Sequence, residues 1–379
     1  MEDFNESNKA HSQETETPMV SVEQQQNIHK LIVSINALMW LVAALLLVVF
    51  VVMGYLLGGG GDSKPEIQVS DSTLLLTQDG TSVITPIGDG KDYWQAPTEE
   101  EMSKQSNAAQ LFYGKDLIVH TANFLGPKGS VAHITNGMNC QNCHLKAGTQ
   151  PWGNNYGAVA STYPKYRARS GAVEDIYKRV SDCFERSLNG TAPVKGSKEM
   201  EAIVAYINYI GSNVKKGEKA KASGIYELPL LDRAADPQKG KMLYANKCVS
   251  CHQTDGSGVL AADGKSYTFP PLWGKNSYNQ GAGLYRISRF AGYIKANMPQ
   301  GASWESPQLT DEEAWDIAAY VNQMPRPSKD LSKDWPKIAE KNIDHPFGPY
   351  ADGFSESQHK FGPFKPIKAA KDALNKDKK

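Results

Sequence analysis

Two short runs constrain this chain more than anything else in it. They read CQNCH at residues 140–144 and CVSCH at residues 248–252. Cys-x-x-Cys-His is the attachment signature of a c-type haem: the thiols add across the two vinyl groups and the adjacent His bonds the iron. One copy could as well be a dithiol redox pair or half of a zinc site. Two copies, each closed by His and each in the same kind of frame, favour two covalently bound c-type haems. On this reading Cys140 with Cys143 and Cys248 with Cys251 carry the haems, and His144 and His252 are the proximal ligands.

The frame is itself repeated. The segment EEEMSKQSNAAQLFYGKDLIVHTA leads through CQNCH to KEMEAIVAYINYI, and DPQKGKMLYANK leads through CVSCH to TDEEAWDIAAYVNQM. Each copy has a helix-like opening, the motif, a long irregular middle and a closing helix with apolar residues at helical spacing. Thr310 followed by Asp311, Glu312 and Glu313 supplies a cap and acid for the last of these helices. The expectation is an all-α fold: two cytochrome c-like domains in tandem, residues 96–225 and 226–328, preceded by one transmembrane helix. A basic, Gly- and Pro-punctuated linker joins them, and a Pro- and Lys-rich extension, 329–379, wraps the body and then frays.

Residues 31–57 carry no charge and are long enough to span a bilayer with some tilt. The leader, residues 1–30, is long and mostly acidic and polar, and no small-residue cleavage site follows, which favours an uncleaved anchor over a signal peptide. GGGGDSKP opens a flexible lead-in over 58–95. Haem attachment of this type occurs outside the cytoplasmic membrane. The chain is therefore expected to be a single-pass cell (inner) membrane protein with residues 1–30 in the cytoplasm and both haem domains in the periplasm. Lys plus Arg equals Asp plus Glu, 41 each, and no basic-aromatic stripe appears, so nucleic acid is not an expected partner.

In the second repeat Met298, beside Pro299, stands where a sixth iron ligand is expected, and a thioether there suits electron transfer. It lies 22 residues before Tyr320 of AYVN. The fifth cysteine, Cys183, lies 23 before Tyr206 of AYIN, so the first repeat offers a sulfur at the same place. Val173, Ile176, Tyr177, Val180, Cys183, Phe184 and Leu188 form one apolar helical face that turns the thiol inward. A small buried hydrophobe is the plain alternative. The expected ligation is His/Cys for haem 1 and His/Met for haem 2. A thiolate lowers a haem potential, and it is also a sulfur nucleophile held ready. Arg179, Arg186 and Ser187 flank Cys183 at helical spacing, and YPKYRARSG adds Lys165, Arg167 and Arg169. An anion site and a solvated basic face fit these charges equally well.

CQNCH, YPKYRARSG, DIYKRVSDCFERSLNG and the late DHPFGPYADGFSESQHKFGPFKPI together resemble the dihaem thiosulfate dehydrogenases of the TsdA type, over roughly residues 95–367. The resemblance implies interconversion of two thiosulfates with one tetrathionate and two electrons. It implies Cys183 as the thiolate ligand that bonds substrate transiently, Arg169 and Arg179 as holders of the sulfonate ends, Ser187 as their helper, and Gln141 nearby. The tether is expected to place the chain near its electron partner, such as a cytochrome c, a quinone-linked complex or a terminal oxidase. Two departures stand out. Asn297, where some relatives have Lys, precedes Met298, with Lys295 further back, and this chain has an anchor where relatives are commonly soluble. A tethered dihaem electron shuttle with a structural Cys183 is the non-catalytic alternative. A dihaem peroxidase would need an open iron position, which a thiolate ligand denies it.

Overall fold

A computed structural model of the chain describes residues 93–376 and eight positions between 31 and 45. The chain divides into two compact units, residues 1–76 and 77–379. In the first, the eight described positions are helical and exposed; the rest of the expected span over 31–57, like the lead-in up to residue 92, lies outside the described residues. Among the described residues no helix is long and apolar enough to cross a membrane.

The second unit holds the two repeats. Seven helices carry its organisation: α1 (Ala108–Val119), α2 (Ile176–Asp182), α3 (Lys198–Ile210), α4 (Pro237–Lys247), α5 (Ile287–Asn297), α6 (Asp311–Gln323) and α7 (Phe364–Lys376). Their starts follow from local chemistry. Ser197 accepts from Met200 N at the head of α3, and Asp236 accepts from Gln238 N and Lys239 N ahead of Pro237 in α4. Thr310 and Glu313 form a reciprocal capping box on α6, satisfying donors that would otherwise be orphaned, worth about 1 kcal/mol per cap.

The duplication is visible in how the helices cross. A Cβ on Gly114 of α1 would fall 2.0 Å from Ala202 O and 2.9 Å from Tyr206 Cβ of α3; one on Gly240 of α4 would fall 1.9 Å from Asp316 O and 2.9 Å from Tyr320 Cβ of α6. Each opening helix thus presses a glycine against the closing helix four residues ahead of the AYIN or AYVN tyrosine. Two apolar cores form around these crossings, one with Leu117, Met200 and Tyr206, the other with Tyr244, Trp315 and Ile317.

The all-α expectation holds for these cores and fails in the loops. Three two-stranded antiparallel ladders occur: β1 (Gly153–Asn155) with β4 (Gly224–Ile225), β2 (Lys165–Arg167) with β3 (Ala172–Glu174), and β5 (Val259–Leu260) with β6 (Tyr267–Phe269). Helix-centred periodicity cannot register a two- or three-residue strand. The expected linker supplies β4, and its Arg233 forks onto Asp316 of α6 at 2.8 and 2.9 Å. Val173 belongs to β3, paired with Tyr166, and is exposed rather than on the α2 apolar face. The capping of α2 by Asp175, which accepts from Lys178 N at 2.8 Å, starts that helix after Val173. The extension does wrap the body, but residues 364–376 form α7, whose Phe364 packs on Trp315 with ring centroids 5.5 Å apart.

Candidate haem and anion site

Both motif histidines are oriented by the same device. His144 Nδ1 lies 2.6 Å from Asn154 O, and His252 Nδ1 lies 2.9 Å from Pro270 O. A carbonyl can only accept, so Nδ1 carries the proton and Nε2 keeps its lone pair for a metal. Burial pushes His144 down to about 4 and lowers His252, which keeps both neutral at ordinary pH. His144 also stacks on Tyr156, centroids 4.4 Å apart.

Each histidine faces a cleft that holds the rest of its motif. The first, about 850 Å³, is bordered by Cys140, Cys143 and His144 on one side and by Cys183 and Ser187 of another element. The second, about 1780 Å³, brings Cys248, Cys251 and His252 together with Met298. Among the described residues no group of three or more His, Cys, Asp or Glu side chains converges on a bare metal ion. The donors therefore suit a metal that brings its own equatorial ligands, as a haem does, better than a zinc ion, which needs four protein donors.

The two sulfur residues occupy equivalent places. Cys183 is the C-cap of α2 and Met298 the C-cap of α5. After Cys183 the backbone widens into one turn of π-helix, Cys183–Ser187, closed by Leu188 N donating to Cys183 O at 3.0 Å. Such turns recur at functional sites. Met298 instead runs into Pro299. His120 and His133 are exposed, whereas Met138 is buried and borders the first cleft.

A third cleft, about 1320 Å³, adjoins the first and is cationic. Cys143, His144, Arg179, Cys183 and Ser187 border both, and Arg169 enters from the turn between β2 and β3. Its arginines are not equivalent. Arg186 is forked onto Asp334 with both bonds at 2.8 Å, and Arg286 onto Asp344 at 2.8 and 2.6 Å. Arg167 stands 4.0 Å from Glu174. Among the described residues no carboxylate pairs with Arg169 or Arg179. Cys183 is the main influence holding the Arg179 guanidinium more firmly charged. Burial, then the charges of Arg186 and Arg179, lower Arg169 to about 10, so it remains a cation at neutral pH. Two half-buried cations with no carboxylate in ion-pairing range among the described residues make a place for an anion.

Gln141 is not brought to this cleft. Its amide donates to Val119 O at 3.0 Å, and its side chain borders the second cleft, because the tight turn of Cys140–Asn142 directs it away from Cys183. The extension contributes what sequence reasoning missed. Trp335, Glu340 and Asn342 border the arginine cleft, and Trp335 N donates to Arg169 O at 2.7 Å. Asp334 and Asp344, the counter-ions, come from the same stretch. Its dense Asp, Trp and His content was the available signal.

The clefts share a wall. Asn142 and Cys143 of the first motif border the Met298 cleft, and Tyr293 of α5 donates to Asn142 O at 3.0 Å. Asn297 donates to Trp152 O at 3.2 Å and to Tyr293 O at 2.9 Å, and accepts from Gln150 at 2.7 Å. Lys295 is buried, donating to Leu309 O at 2.7 Å beside Asp311 at 2.9 Å. Both side chains are thus already engaged.

Comparison with known proteins agrees with this geometry. Residues 130–215 match the model of the SoxA/TsdA cytochrome c domain, and residues 237–325 match that of cytochrome c. A thiosulfate dehydrogenase of Stutzerimonas stutzeri is 33% identical over 286 residues, covering 76% of this chain and 86% of the relative. The chain belongs to the dihaem thiosulfate dehydrogenase family. Another member of that family, from Allochromatium vinosum, is 41% identical over 198 residues, 51% of this chain and 72% of the relative. A solved thiosulfate dehydrogenase (TsdBA) from Marichromatium purpuratum superposes with a TM-score of 0.57 at 29% identity over 66% of this chain. The chain spans only 52% of that solved protein. Two cytochrome c domains in tandem, each of a kind that carries covalent haem, are thus the architecture of this family member.

Proposed function

We propose that this chain interconverts two thiosulfates and one tetrathionate from a membrane anchor, with its haem domains in the periplasm and Cys183 as the reacting sulfur. The observation that carries the reading is the position of one unpaired thiol on the border between two clefts. On one side stand His144 and the first cysteine pair; on the other stand Arg169 and Arg179 without carboxylate partners. A merely structural cysteine would have no use for that boundary.

Cys140, Cys143 and His144 would hold one c-type haem and Cys248, Cys251 and His252 a second, with Cys183 and Met298 as further holding side chains, and the two haems would supply two one-electron acceptors. Arg169 and Arg179 hold the sulfonate of one thiosulfate, with the Ser187 hydroxyl as an added donor, so that its outer sulfur meets the Cys183 thiolate. An S–S bond forms between the Cys183 sulfur and the outer sulfur of the thiosulfate as two electrons leave, which the two haems would take up. The outer sulfur of a second thiosulfate then attacks the sulfur just bound, releasing tetrathionate and restoring the thiolate. Two thiosulfates give one tetrathionate and two electrons, with no proton transferred. This is covalent catalysis by a thiolate.

Cys183→Gly tests the proposal. Thiosulfate-dependent haem reduction is expected to fall on the order of a thousandfold while dithionite still reduces both haems. The thiolate-type low-spin signal in the EPR spectrum of the oxidised protein should vanish with it. Unchanged reduction by thiosulfate in that variant would leave a tethered electron shuttle as the correct description.

A further inference from the structure

The arginine cleft has a second cationic wall that the chemistry at Cys183 does not use. Arg286 and Arg289, just ahead of and in the first turn of α5, border the cleft from the second repeat, whereas Arg169 and Arg179 belong to the first. Arg169, after burial, is influenced by Arg186 and Arg179 and by the carboxylates Asp334 and Asp182, while Arg289, after burial, is influenced by Arg286 and by the carboxylates Glu227 and Asp344. Arg286 is spoken for by Asp344. Arg289 is not held in this way: its partner Glu227, 3.4 Å away, is 80% exposed, and such a pair contributes little. Gly224 and Gly283 also border the cleft, and a Cβ at either would meet no atom within 4 Å. The cleft thus carries an arginine pair from the first repeat and one lightly committed guanidinium from the second, with open space beside these glycines.

We infer that Arg289 is a second sulfonate-binding residue, which holds the far end of a disulfonate whose near end lies between Arg169 and Arg179. This rests on the thiosulfate–tetrathionate reading and deepens it: Arg289 would position the second thiosulfate for attack and would make the site prefer a dianion with two separated sulfonates to one with a single sulfonate. Binding exchanges the exposed Glu227 contact for a charge-assisted bond to the ligand.

Calorimetric titration of the oxidised full-length holoprotein separates the possibilities. Ethane-1,2-disulfonate serves as an unreactive probe with two ends, and methanesulfonate as one with a single end. In Arg289→Gln the disulfonate is expected to bind about tenfold more weakly and the monosulfonate within about twofold of the parent protein. Arg289→Lys, which keeps the charge, should recover most of the loss. In turnover, KM for tetrathionate should rise by about the same tenfold. Equal disulfonate affinity in Arg289→Gln and parent would overturn the inference, as would an equal loss for both probes. Thiosulfate reduction of the parent haems is measured alongside. Its absence would defeat the proposed activity, while the titration would still decide whether Arg289 holds a second sulfonate.

Discussion

Cys183 and Met298 each end a helix, and the side chain that caps α2 or α5 stands over a cleft whose opposite wall is a Cys-x-x-Cys-His motif. That equivalence could be read from the sequence because a cap position is local: distance from the closing tyrosine fixes it to within one residue. The counter-ions Asp334 and Asp344 could not, since each meets its arginine across more than fifty residues of chain. The same stretch holds a titrating group. His345 is buried, donates from Nδ1 toward Phe347 O at 3.2 Å and packs edge-on against Trp335, centroids 5.4 Å apart. Burial, then the charge of Lys341, push it down to about 4. Its folded value lies below its unfolded one, so the unfolded chain binds more protons between the two. Stability is full above about pH 6.5 and is lost as pH falls toward 4, by about 2 kcal/mol at pH 5. Lowered Asp344, paired with Arg286, acts in the same sense. His345→Gln should therefore flatten the drop in melting temperature between pH 7 and pH 5, measured on the holoprotein; an unaltered slope would remove His345 from the account.

Among elements, the α1–α3 and α4–α6 crossings depend on Gly114 and Gly240, each with the backbone of its partner helix where a Cβ would go. Gly114→Val or Gly240→Val should cost about 3 kcal/mol or more by forcing the pair apart. Gly353, with open space at its Cβ position, provides the control: Gly353→Ala should stay within about 0.5 kcal/mol. Thermal melts of the three holoproteins check this. The helices themselves were legible because their apolar residues recur at helical spacing and their caps stand next to them. The ladders were not. β1–β4 joins residues about seventy apart through main-chain bonds that side-chain pattern barely registers. Val173 fitted a helical stripe by spacing alone, and Asp175, the true start of α2, decided otherwise. Gln141 shows the same limit in a turn, where adjacency to a motif says nothing about which side of the backbone a side chain takes.

At the scale of the molecule, every group assigned a part in the chemistry lies within residues 140–345, and none falls in the proposed anchor over residues 31–57. Deleting residues 1–57 from a chain supplied with another export signal should therefore shift the holoprotein from the membrane to the soluble fraction and leave its reduction by thiosulfate intact. A full-length chain already soluble would end the anchoring proposal. The three hydrogen bonds of Asn297 tie the residue before Met298 to Gln150, Trp152 and Tyr293, so this neighbour is held in the wall between the two repeats. Were Met298 to hold the second haem, exchange of that ligand for the residue beside it would be closed to this chain.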